Sequence, residues 1–227
     1  PFTRLPGTSG QHGCAAAYSV TRLGESFAWL AKDDRGQCFI YKMAGYLAER
    51  ISTFAVEEAI SNYSIISDCR GYSYSDDGHQ FAVFNFPSAD VTWVYDDSTK
   101  MWHKRAWRDG LNVLHRDRGN CCANFANQIV IGDWQNGNLY TLADNVYTDN
   151  GQPIYRLRRA AHLTADLKRV YYNSFQIQFQ PGVGLPTGQG SNPQCMVSWS
   201  SDGGSTYTAP IFVPIGVQGA YKNRAVV

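Results

Sequence analysis

Charge is scarce in this sequence. Asp, Glu, Lys and Arg make up 17% of its 227 residues, where a soluble domain usually carries about 25%. What charge there is nearly cancels, with 20 basic side chains against 19 acidic ones for a net +1. The strong basic excess of a general nucleic-acid or acidic-membrane binder is therefore missing. Long apolar runs are missing too. None approaches the roughly 18 residues that a membrane span needs, so no membrane insertion by this segment is expected. No basic start followed by an apolar stretch marks a signal peptide. The six cysteines, at 14, 38, 69, 121, 122 and 195, form no C-x-x-C pair, and no His stands at zinc spacing from them. They are too sparse for a disulfide framework in a chain of this length and are expected to be buried free thiols of a protein made in a reducing cytosol. There is no initiator Met. The chain opens on Pro1-Phe2-Thr3-Arg4 and stops on Arg224-Ala225-Val226-Val227, so both ends read as cut from a longer protein.

What the chain does have is 44% hydrophobic residues, enough for a proper core, and 14% aromatics. Aromatic-rich and charge-poor is the composition of strands rather than of helical bundles. Short apolar runs alternate with Asp, Gly and Asn turns: 26–31 then 37–42, 71–75 then 79–86, 91–95 then 100–107, and 128–132 then 138–142. Asp77-Gly78 and Asn136-Gly137 between such runs are strong hairpin signals. The outgoing strands end in Tyr41, Tyr95 and Tyr140, at intervals of 54 and 45 residues. Four short strands in roughly 40 to 50 residues is the period of a β-propeller blade. The fold class expected is all-β, with propeller-like blades of short antiparallel strands; a β-sandwich is the alternative. One helix is expected over about 54–63, where Val56, Ala59, Ile60 and Tyr63 fall at i, i+3, i+4 and i+7. It reads as an insertion in the longer first interval. Residues 1–165 are assigned to blades. Residues 166–227 are assigned to a final blade or a small packed β domain, with 169–180 as one long strand and 195–200 with 206–213 as a hairpin.

Chemistry is hard to find. No H-E-x-x-H, G-x-S-x-G, P-loop or G-x-G-x-x-G occurs, and His12, His79, His103, His115 and His162 are scattered. The acidic pairs Asp33-Asp34, Asp76-Asp77 and Asp96-Asp97 sit in turns, where Asp bonds its own backbone. No metal, cofactor or catalytic residue is expected. Ser200, Asp202, Gly204, Thr206 and Tyr207 fit S-x-D-x-G-x-T-[WY], the Asp-box hairpin familiar from sialidase propellers. It braces a turn and is not a catalytic element. Two basic stretches stand out. The first holds Lys100, Lys104, Arg105, Arg108, Arg116 and Arg118, and the second Arg156, Arg158, Arg159, Lys168 and Arg169, with Trp and Tyr interleaved. Each could suit a nucleic-acid strand or an acidic partner, or could be a solvated strand face or a subunit contact.

Several segments resemble the phage stabilisation proteins of short-tailed bacteriophages: Glu49-Arg50-Ile51-Ser52-Thr53 leading into the helix, Val94-Tyr95-Asp96 followed by Met101-Trp102, Asn136-Gly137-Asn138-Leu139-Tyr140, and Trp199-Ser200-Ser201-Asp202-Gly203-Gly204 followed by Gly216, Gly219-Ala220-Tyr221 and Arg224. The resemblance implies a tail hub or nozzle subunit that closes the portal channel after DNA packaging. It implies a homo-oligomeric ring, commonly a hexamer, touching the portal or its adaptor above and a plug or needle below. Double-stranded DNA would pass transiently, and the virion would be assembled in the host cytoplasm. The family brings no catalytic residues, so a non-enzymatic structural role is expected. Two rivals come from the residues themselves: a glycan-processing, sialidase-like propeller enzyme, and a carbohydrate- or receptor-binding propeller.

Overall fold

The computed structural model describes residues 3, 12–143, 146–161, 163, 168, 170–188 and 190–227. The chain divides into two compact units, Pro1–Arg156 and Leu157–Val227.

The first unit is a succession of antiparallel meanders in chain order. Sheet 1 holds β1 (Thr21–Leu23), β2 (Ser26–Lys32), β3 (Cys38–Ala44) and β4 (Leu47–Arg50). Helix α1 (Phe54–Ser61) follows. Sheet 2 holds β5 (Arg70–Asp76), β6 (His79–Phe86), β7 (Val91–Asp96), β8 (Met101–Arg108) and the short β9 (Leu114–Arg116). Sheet 3 holds β10 (Gly119–Phe125), β11 (Gln128–Asp133) and β12 (Leu139–Thr141), and a two-stranded ribbon of β13 (Thr148–Asp149) and β14 (Gln152–Pro153) closes the unit. Among the described strands none is exchanged between sheets, as blades require and interleaved sandwich sheets do not. The three tyrosines that set the repeat lie on the third strand of their respective sheets. The first strands β1 and β10 both contact β5.

Sheet 2 explains the aromatic, charge-poor composition. Along β6, Ala82, Phe84 and Phe86 join one core with Leu23, Leu30, Ile40, Val56 and Ile60, while Val83 joins a second with Tyr72, Tyr74, Val94 and Ile131. Side chains alternate between faces, so this strand is buried on both sides and reads as a continuous apolar run. Its turn to β5 uses Asp77 at φ 46° and Gly78 at φ 78°. Left-handed backbone at both central residues is the hairpin geometry that Asp-Gly supplies.

Helix α1 ends two residues earlier than expected, and it buries Val56 and Ile60. It is tied down by Glu57, which accepts from Ser52 Oγ at 2.6 Å and from the Arg50 guanidinium; Ser52 Oγ in turn accepts from the Ile40 amide at 3.0 Å. Tyr63, past the helix end, packs edge-on against Phe86. Lys42 Nζ of β3 meets Asp97 Oδ2 at 2.7 Å, joining sheet 1 to the β7–β8 turn.

The second unit is less regular. Its strands are β15 (Gln176–Ile177), β16 (Gln194–Val197), β17 (Ile211–Pro214) and β18 (Ala225–Val226), paired β15–β18 and β16–β17. The long strand expected over 169–180 is not formed: among its described residues only Gln176 and Ile177 are strand. Alternation is present there, and the segment meets β18 over Gln176–Ile177, with Phe175 and Val227 exchanging amide hydrogen bonds next to that ladder. The cysteines differ from expectation too. All six are free, but only Cys38 and Cys69 are buried, whereas Cys14 and Cys121 are exposed.

Candidate functional site

A cluster of buried polar side chains lies at the seam between sheets 2 and 3. It is built from residues that strand alternation places opposite one another. Asn85 shares its face of β6 with Val83, and its Nδ2 donates to the Gly119 carbonyl at 2.9 Å on β10. Thr92 Oγ1 donates to Asn85 Oδ1 at 2.5 Å and accepts from the Asp117 amide at 3.0 Å. Tyr72 Oη donates to Asp117 Oδ2 at 3.2 Å. Burial, ahead of the nearby Asp117 carboxylate, pushes the Tyr72 hydroxyl well above its ordinary pKa.

The first basic stretch runs into this seam. Arg118, only 5% exposed, donates through Nη1 to Asp133 Oδ2 and Gln135 Oε1, both at 3.1 Å, and lies 3.8 Å from the centroid of the Trp107 ring. Its Nε faces Asp149 Oδ1 of β13 at 3.5 Å. Burial raises the Asp149 carboxyl above its ordinary value, with Arg118 opposing. Arg116, 7% exposed, stacks over Trp134 at 4.2 Å, and burial lowers its pKa. Arg105 hydrogen-bonds Tyr74 Oη; burial disfavours its charge, but Asp117, Tyr74 and Tyr72 outweigh burial and raise its pKa. Arg108 is half-buried and lies over Tyr155 at 5.4 Å. Lys104 is exposed on β8, with its Nζ 4.8 Å from the Trp93 centroid.

The stretch that looks like one basic patch in the sequence is thus mostly an internal lock of arginine on aromatic and carboxylate, with Lys100 and Lys104 at the surface. In the second stretch Arg156, Arg158 and Arg159 are all exposed. Arg156 lies over Tyr147 at 5.9 Å and Arg159 over Tyr207 at 5.3 Å. Lys168 is exposed, and Arg169 lies outside the described residues.

The remaining candidates resolve into turn chemistry. Asp33 Oδ1 accepts the Arg35 and Gln37 amides at 3.0 and 2.7 Å. Asp96 takes the Ser98 amide at 2.9 Å, the Thr99 hydroxyl at 2.7 Å and His79 Nδ1 at 2.8 Å. His115 lies between Asp90 and Asp109, at 2.7 and 3.4 Å, and the Asp90 hydrogen bond leads in raising its pKa. His12 stacks on Tyr41, and His162 lies outside the described residues. In the Asp-box, Asp202 accepts the Ser200 and Thr206 hydroxyls at 2.6 Å each, and the Ser205 and Thr206 amides at 2.9 Å each. Gly204 donates its amide to Ser200 Oγ at 2.8 Å. Tyr207 stands beside this turn, under Arg159. Among the described residues no group of three or more His, Cys, Asp or Glu is placed to hold a metal, and no helix is long and apolar enough to cross a membrane.

Sequence reasoning did not find Asn85, Thr92 or Trp134. Only Asn85 carried a signal, as a polar residue inside an otherwise apolar buried strand, where it needs hydrogen-bond partners.

Residues 1–147 match the phage stabilisation family model, described as bacteriophage P22 Gp10, beta-propeller. Residues 155–227 match a second model, described as bacteriophage P22 Gp10, beta-sandwich. The two architectures weighed for the whole chain thus fall on successive segments. No curated protein matches the chain.

Proposed function

Because this chain belongs to the phage stabilisation protein family and is a bacteriophage structural protein, we propose that it serves as a tail hub or nozzle subunit, sealing the portal channel and forming part of the conduit for DNA ejection. The observation that carries the reading is the order of the two matches, propeller then sandwich, on a chain whose first unit is a run of blade-like meanders and whose second unit is separate. In this role the subunits form a ring, a hexamer by family resemblance, between the portal or adaptor and a plug or needle, after assembly in the host cytoplasm. In this reading the protein works without turnover: Asp33 and Asp96 brace turns, Asp97 pairs with Lys42, and the Asp-box braces a loop.

Of the candidate contact residues, Lys104, Arg156, Arg158 and Arg159 are exposed and suited to transient contact with duplex DNA or a neighbouring subunit. Contact with passing DNA has to be weak and salt-sensitive, as phosphate contacts are. Arg116 and Arg118 instead tie sheet 2 to the Asp133–Gln135 end of β11, and Arg105 braces Tyr74 within sheet 2. The test is electron microscopy of the full-length protein supplied with portal and adaptor. A ring at the tail end of the portal is expected; a particle that stays monomeric and never joins the tail complex overturns the hub reading, whatever its fold.

A further inference from the structure

Two turns of sheet 2 meet at one imidazole. His115 lies on β9, the last strand of the sheet, where its cross-strand partner on β8 is Trp107. Its Nδ1 is 2.7 Å from Asp90 Oδ2 in the β6–β7 turn, and its Nε2 is 3.4 Å from Asp109 Oδ2 in the β8–β9 loop. The other oxygen of each carboxylate is engaged by backbone, which holds both in place. Asp90 Oδ1 accepts the Arg116 amide at 2.9 Å. Asp109 Oδ1 accepts the Leu111 and Val113 amides at 2.9 and 2.7 Å, and the Asp109 amide donates to the Val113 carbonyl at 3.0 Å.

An ionised carboxylate only accepts hydrogen bonds. Both ring nitrogens therefore have to donate, and histidine donates at both only as the cation. The surrounding cations are committed elsewhere: Arg116 and Arg118 lie over Trp134 and Trp107, and Arg108 of β8 over Tyr155. β8 faces the imidazole with the Trp107 ring, 5.2 Å away between centroids. The Asp90 hydrogen bond leads in raising the His115 pKa, and the Val113 amide leads in lowering that of Asp109, which stays ionised at neutral pH. A neutral imidazole has a single N–H to give. The shorter contact keeps it, at Nδ1 toward Asp90, and the bare Nε2 then faces Asp109 Oδ2, acceptor against acceptor.

We propose that His115 is a proton-operated clasp: charged, it ties the 109–113 loop to the 87–90 turn; neutral, it holds Asp90 alone and releases Asp109. The loop carries Leu111, which is 84% exposed, with Val113 and Leu114 exposed beside it, so the clasp fixes or frees an apolar tip. The folded pKa lies above that of an ordinary histidine, so the clasp's contribution is complete below about pH 6.5 and is lost as pH rises through the folded value. A partly exposed ion pair contributes little to global stability, so release loosens the loop and leaves the sheet folded.

The test is NMR of the full chain from about pH 5.5 to 9, across the range in which histidine titrates. It follows the His115 ring nitrogens and the exchange of the Leu111 and Val113 amides, corrected for the intrinsic pH dependence of exchange. His115→Gln identifies the ring resonances, and circular dichroism checks that each variant folds. His115 is expected to titrate above an ordinary histidine and to keep its last proton on Nδ1. Through that midpoint the two loop amides should exchange about two- to fivefold faster, while those of β6 and β7 stay as they are. Asp109→Asn keeps an oxygen for the two amides and offers an N–H to neutral Nε2, so the midpoint falls and the loop no longer loosens with pH. A wild-type midpoint at or below about 6.5, or a last proton on Nε2, overturns the clasp without need of any variant. Loop exchange that rises equally in Asp109→Asn overturns it as well.

Discussion

A single carboxylate organises the tip of the second unit's hairpin. Asp202 gathers two hydroxyls and two amides, and the Ser200 and Thr206 hydroxyls lead in holding its carboxyl well below the usual carboxylate range. The folded pKa is therefore lower than that of an unfolded Asp, about 3.9. With that sign, the turn's full benefit from ionised Asp202 is present above about pH 4 and is lost as pH falls through the depressed value. The Ser205 and Thr206 amide resonances are expected to stay fixed between about pH 7 and pH 4 and to move only below that range. A midpoint at the ordinary carboxylate value would mean the four bonds do not form in solution. Asp202→Asn is expected to remove the transition. The same scale explains why counting charges misleads. Arg116 and Arg118 contribute to a basic stretch in the sequence, yet each is buried with its guanidinium on a tryptophan ring.

At the scale of elements, the first unit depends on how closely its first strands approach. Gly119 begins β10, and a Cβ there would collide with Tyr72 Oη and lie 2.8 Å from Ile131 Cγ2. Both neighbours are held, Tyr72 by Asp117 and Ile131 by its place in the second core. Gly119→Ala is thus overpacking at a junction that cannot give, and it is expected to cost about 1–3 kcal/mol in denaturant unfolding. Loss of less than about 0.5 kcal/mol, the range of an ordinary surface change, would show that sheets 2 and 3 are not packed this tightly. This close approach was invisible in the sequence, where Gly119 is one of 21 glycines. The strands themselves were legible. β6 spans the expected 79–86, and β2, β3, β5, β7, β8 and β11 begin and end within two residues of expectation, because Asp-Gly turns and alternating aromatics are local signals. Residues 169–180 carry the same alternation, yet only Gln176 and Ile177 are strand among the described ones, because alternation specifies a face and not a partner. The seam was out of reach for a related reason. Spacing along the chain does not say that Asn85 and Gly119 meet across two sheets.

For the whole molecule, apolar burial is concentrated in one of the two units. In the first, β6 and β7 are buried on both faces between two cores. In the second, strands of two to four residues leave most large hydrophobics exposed. Protection against hydrogen exchange follows buried contact and protected backbone bonds, so opening free energies should differ between the units. In the free chain, amides of β6 and β7 are expected to exchange slowest, and those of β16 and β17 faster by about a hundredfold or more. Equal protection throughout would mean that the chain opens as one cooperative body. The contrast also has a consequence for assembly. A hairpin that opens easily when free is stabilised by whatever binds its closed form. Protection at 194–197 and 211–214 should therefore rise on association, while β6 and β7 stay unchanged. A hairpin that gains no protection on association would lie outside the contact.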